Sequence, residues 1–142
     1  MRITALIART ALLPAACVLA LAASPLHAAD TPVYPELAAF ADQLRTCAPA
    51  TAPQPHPFMK SFTIEHAITG VREGRCDYSQ TMPGGMRMVC AFDDASRDAY
   101  ADELERTAKT GAMSGSSKGP QPTWNKACEI ETKDGKRMPM GG

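Results

Sequence analysis

The chain has 142 residues, with 15 Lys+Arg balancing 15 Asp+Glu, 44% hydrophobic and 6% aromatic residues, and five cysteines. That length suits one domain and a modest core. Balanced charge without a basic stripe excludes the electrostatic footprint of a nucleic-acid binder.

Residues 1–28 read as a secretory signal peptide, with Arg2 and Arg9 ahead of an apolar run from Ala11 to Ala23 and small residues at Ala28 and Ala29 for cleavage after Ala28. The run is about 13 residues, short of the roughly 18 to 20 that span a bilayer, so no membrane span is expected in the mature chain. Lipidation at Cys17 fits poorly, because the apolar run continues past it. After Ala28 the chain carries 13 Lys+Arg against 15 Asp+Glu, a formal charge of about −2. Cys17 leaves with the signal. Cys47, Cys76, Cys90 and Cys128 remain, an even set that reads as two disulfides with three possible pairings. No C-x-x-C occurs, the spacings are too wide for a zinc ribbon, and an oxidising address disfavours four free thiolates on zinc.

A single domain is expected over residues 29–138, with flexible segments at 49–57 and 111–123 and a disordered tail at 139–142. "YPELAAFADQLRTCAP" sets Leu37, Phe40, Ala41, Leu44 and Cys47 on one helical stripe, with Pro35 in the first turn and Pro49 beyond the end. "PATAPQPHP" follows as an extended loop, excluded by its prolines from helices and central strands.

Period two then takes over. Phe62, Ile64, His66 and Ile68 share one strand face, Cys76, Tyr78 and Met82 a second, and Met86, Met88, Cys90 and Phe92 a third. A five-residue loop, Thr81 to Gly85, would put Tyr78 opposite Met88 and Cys76 opposite Cys90, within disulfide reach. That register favours Cys76–Cys90 with Cys47–Cys128. The competing pattern joins Cys47 to one strand cysteine and Cys128 to the other.

"DDASRDAYADELERTAKTG" reads as a second helix, with Asp93 or Asp94 as N-cap, Ala99, Tyr100, Leu104 and Ala108 as its stripe, and Gly111 at its end. Asp102 with Arg106 and Glu105 with Lys109 are its i,i+4 pairs. A small hairpin is expected around Asp134-Gly135. The fold expectation is a disulfide-stapled α+β domain of two layers, a three-stranded antiparallel meander covered by two amphipathic helices.

The block from Phe62 to Leu104 resembles small exported proteins of Gram-negative bacteria: a glycine-ended strand, a cysteine strand with an aromatic two places on, a Met-Pro-Gly turn, a second cysteine strand and a helix. The resemblance implies an architecture and a periplasmic address. It implies no activity and no functional residue.

No catalytic signature is present. "GSSKG" lacks P-loop spacing, G-x-S-x-G is absent, and Glu65, Asp77 and Asp93 face outward as solvated carboxylates. The sequence therefore points to a non-catalytic interaction or accessory protein of the periplasm, without cofactor, whose partner is another periplasmic protein and for which the proline segment Pro49–Pro57 is one docking candidate. The alternative is a Cu(I) binder using Met82, Met86, Met88 and His66, with His56, Met138 and Met140 as further soft or nitrogen donors and Trp124 nearby in sequence. Core packing of the methionines and an inward, hydrogen-bonded His66 are the structural explanations of the same residues.

Overall fold

The computed structural model describes residues 31–113 and 121–140. The signal-peptide expectation lies outside them, as does most of the 111–123 segment. The elements run α1 (Pro35–Arg45), β1 (Ala50–Pro55), β2 (Thr63–Arg72), β3 (Arg75–Met82), β4 (Met86–Phe92), α2 (Asp94–Thr110), β5 (Cys128–Glu131) and β6 (Arg137–Pro139).

The strands form one six-stranded antiparallel sheet in the order β1-β2-β3-β4-β5-β6. This corrects the expected three-stranded meander covered by two helices. The missing strands lie at the two edges. At one, the proline segment is β1, with Pro53 opposite Glu65 and Pro55 opposite Thr63. Proline is tolerated in a ladder where its absent N–H would point away from the neighbour. Pro53 and Pro55 share that phase, so the outer edge of β1 lacks those donors and is a poor template for an added strand. At the other edge, the 128–139 hairpin joins β4 through Cys90 opposite Cys128. Pro139, expected in a disordered tail, ends β6, and the Met140 N–H donates to the Cys128 carbonyl.

The turns explain the registers. Glu73 and Gly74 both have positive φ (52° and 75°), as a two-residue turn with the twist of a hairpin demands, and they join Arg72 to Arg75. The β3–β4 turn is three residues, Pro83–Gly85, closed by Met82 opposite Met86, in place of five. The register accordingly moves by two. Tyr78 meets Cys90, and Cys76 meets Phe92. A shift of two preserves every side chain's face but separates the expected cysteine pair. The disulfides are Cys47–Cys76 and Cys90–Cys128. In the chain-entropy account each contributes about 4 kcal/mol for loops of this size.

Both helices cover one face of the sheet. Leu37, Phe40, Ala41 and Leu44 of α1 and Tyr100, Ala101, Leu104 and Ala108 of α2 enter a core with Ile68, Tyr78, Met88 and Phe92. Aromatic rings run through it in sequence: Phe40 to Tyr78 at 6.3 Å, Tyr78 to Phe92 at 5.7 Å, Phe92 to Tyr100 at 5.4 Å and Tyr100 to Trp124 at 4.5 Å. Such contacts add to the burial term of each ring.

Asp93 is the N-cap of α2, its Oδ1 accepting from the Ser96 N–H at 2.8 Å, and Gly111 closes the helix at φ 71°. Of the expected helix pairs, Glu105 does meet Lys109, but Arg106 turns to Glu103. Asp102 instead faces Arg45 at 2.8 Å, where Arg45 also reaches Glu105 and ties α2 to α1.

Candidate functional site

Two regions carry chemistry, one on each side of the sheet. On the helix side, the alternation of β1, β2 and β3 sends Gln54, His66 and Tyr78 inward, and α2 brings Tyr100 down on them. All four are at most 4% exposed. His66 Nε2 lies 3.0 Å from Gln54 Oε1 and Nδ1 lies 2.6 Å from the Tyr78 hydroxyl. Gln80 Oε1 is 2.8 Å from the hydroxyls of both Tyr78 and Tyr100, which are 2.9 Å apart.

Burial lowers the His66 pKa to about 4, so the imidazole is neutral near pH 7. One neutral arrangement satisfies both ring nitrogens: Nε2–H donates to Gln54 Oε1, the Tyr78 O–H donates to Nδ1, and the Tyr100 O–H donates to Gln80 Oε1. Burial also raises the pKa of both tyrosines, Tyr78 well above the ordinary value and with the Tyr100 hydroxyl adding to the effect. The network is thus neutral and tightly partnered. Phenols held protonated and an imidazole with both nitrogens engaged make poor nucleophiles or bases.

Above this network lies a cavity of about 140 Å³. Gln54, His66, Gln80, Tyr100, Glu103 and Thr107 are the polar residues of its lining, and Met82, Met88, Met113, Met140, Leu104 and Trp124 supply its apolar walls. The structure therefore brings together Met82, Met88 and His66 from the candidate soft-metal set, along with Met140 and Trp124. Met86 falls outside this lining, as do His56 and Met138. His56 Nδ1 instead accepts from the N–H groups of Phe58 and Met59 at 3.2 and 3.1 Å and organises the β1–β2 loop. Met138 lies on β6 and is 41% exposed. Sequence reasoning missed Gln54 and Met113. Gln54 shares the inward phase of Ala52, a signal hidden by the prolines between which it sits. Met113 follows the end of α2 and carries no periodicity. Among the described residues no group of three or more His, Cys, Asp or Glu is placed to hold a metal ion.

Among the described residues no α-helix lies over the other face of the sheet. A broad depression of about 490 Å³ runs across it, with Ser79, Val89 and Ala91 in its lining beside arginines and carboxylates of β2 to β6. Asp77 there pairs with Arg72 at 2.7 Å, while Arg137 reaches Glu131 at 2.9 Å and Glu129 at 3.7 Å. Of the expected outward carboxylates, Glu65 is exposed, Asp77 is in this ion pair, and Asp93 is the helix cap.

Among the described residues no helix is long and apolar enough to cross a membrane. No protein-family model, curated protein or solved structure matches the chain.

Proposed function

We propose that this chain is an exported accessory protein that acts by binding, without catalysis, and holds a small ligand in the methionine-walled cavity. The observation that carries the reading is the convergence of Met82, Met88, Met113, Met140 and Trp124 on one space with a hydrogen-bonding patch beneath it. A volume of about 140 Å³ compares with the roughly 150 Å³ engineered apolar cavity that admits benzene. A compact apolar molecule with one hydroxyl fits such a space: the ring meets thioethers and indole, and the hydroxyl meets Gln80 or Tyr100. The signal sequence and the two disulfides support export.

Trp124 is the single tryptophan and lines the cavity, so its fluorescence reports occupancy directly. Cyclohexanol should shift that emission saturably, and Met113→Phe at the exposed part of the lining or Leu104→Phe in the wall should weaken the response. An unsaturable, solvent-like response would sink the idea.

The second reading is Cu(I), favoured by the four thioethers in that lining, which are the ligand type that selects it. Both His66 nitrogens already have partners, so the metal would rest on thioethers. Ag(I) as a redox-inert surrogate should then bind at one equivalent and quench Trp124, and Met82→Leu with Met88→Leu should abolish it. Quenching that survives the double substitution would remove the copper reading.

A further inference from the structure

We propose that the uncovered face of the sheet is a docking surface for an extended acidic segment of another polypeptide, one that presents carboxylates at alternate residues. The charges on this face are unequally satisfied. Arg72 and Arg137 are in close ion pairs, whereas Arg75, Arg87 and Lys126 form none among the described residues, Arg75 having Asp93 only as a more distant neighbour. The surplus on the face is therefore positive, although the chain as a whole is balanced.

These cations are also placed. Arg75 Nη1 donates to the Ala91 carbonyl at 3.4 Å, and Arg87 Nη2 donates to Ser79 Oγ at 2.8 Å. The two side chains lean toward each other from opposite ends of the β3–β4 pair. Ala91 lies opposite Asp77 and Val89 lies opposite Ser79, so the two anchoring points are two residues apart along the strands. At roughly 3.4 Å per residue that is about 7 Å, the spacing of same-side side chains at i and i+2 in an extended chain. Ser79, Val89 and Ala91 are small, so an approaching backbone can settle between the guanidiniums. Each guanidinium retains free N–H donors for a carboxylate.

The pattern selects discrete charges over a continuous polyanion. Asp77, Glu129 and Glu131 are interleaved with the cations, and a run of phosphates laid across the face would meet them at like-charge distance. Strand addition at β1 is a separate mode and a poor one here, because Pro53 and Pro55 remove its outward donors.

The test uses two acetylated Thr/Val octapeptides of equal composition, one with Glu at i and i+2 and the other with Glu at i and i+1. Binding to the full mature chain is followed by fluorescence anisotropy at low salt. The i,i+2 peptide should bind more tightly. Arg75→Ala and Arg87→Ala should each weaken it about tenfold, the scale of one lost charge-assisted contact. Arg106→Ala, on the far side of α2, should leave it unchanged. These arginines are exposed, and unchanged melting of the variants confirms that the fold is retained. Equal affinity for the two peptides would overturn the proposal, as would Arg87→Ala binding like the wild type. Polyphosphate binding at the same affinity would make the face a general anion surface. Loss of concentration-dependent self-association in Arg87→Ala, without peptide binding, would make the occupant a second copy of the chain. The surface is distinct from the cavity, so its failure leaves the cavity reading standing.

Discussion

The same strands present two different electrostatic worlds. On the helix-covered face, His66, Gln54, Gln80, Tyr78 and Tyr100 form a polar group at the edge of an aromatic core. Its members hydrogen-bond to one another, and its titratable members are held neutral. One residue away along each strand, Arg75, Asp77, Arg87 and Glu129 line the open depression. Burial makes the first set expensive to disturb and reachable only from the cavity above it, whereas exposure makes the second set cheap to disturb and available. Period two is enough to give a single sheet one buried face and one charged face.

The largest test of that contrast is Phe92→Ala, which empties a ring that is 1% exposed in the middle of the aromatic row. Loss of transfer energy plus the residual cavity should cost about 3–5 kcal/mol, read as a fall in the denaturant midpoint. A loss below about 1 kcal/mol would mean that the helix-covered face is not the core.

Acid comes next. His66 has an ordinary pKa of 6.5 and about 4 in the folded protein, lowered by burial, so the unfolded chain binds a proton that the folded chain refuses. Stability is full above pH 6.5 and is lost as the pH falls between 6.5 and 4, by about 3 kcal/mol at the lower end. Urea midpoints at pH 7.5, 5.5 and 4.5 check this. The His66→Gln variant should be less stable at pH 7.5 but flatter over the window, and an equally steep variant would assign the loss elsewhere.

The smallest effect belongs to the open face. Arg87→Ala should change stability by less than about 0.5 kcal/mol, because among the described residues its side chain bonds to the Ser79 hydroxyl alone and the residue is exposed. A cost near 2 kcal/mol would make Arg87 part of the fold and blunt the distinction between the faces.

Local pattern made much of this legible. The alternation of Ile64, His66 and Ile68, the stripe of Leu37, Phe40, Ala41 and Leu44, and the Asp93 cap all follow from neighbours in sequence. What stayed hidden depends on long-range pairing. Whether Pro53 sits in a loop or an edge strand turns on which way an absent N–H points, and that is settled by β2. Turn length around Pro83 is local but ambiguous, and its two-residue consequence for register misassigned the cysteines while leaving every face correct. The cavity could be half read: Met82, Met88 and His66 carry strand phase, but Met113 and Met140 arrive from aperiodic segments. The open-face arginines share their phase with Asp77 and Glu129, and only the ion-pair partners separate the satisfied charges from the free ones.

Among the described residues the two disulfides join the first cysteine in the chain, Cys47, to the second, Cys76, and the third, Cys90, to the fourth, Cys128. Neither loop encloses an end of the other. A chain that meets an oxidant amino terminus first can therefore close Cys47 on Cys76 before Cys90 has emerged, and Cys90 then has only Cys128 left to find. The native topology is the one that pairing in order of appearance produces, with no exchange between the two bonds.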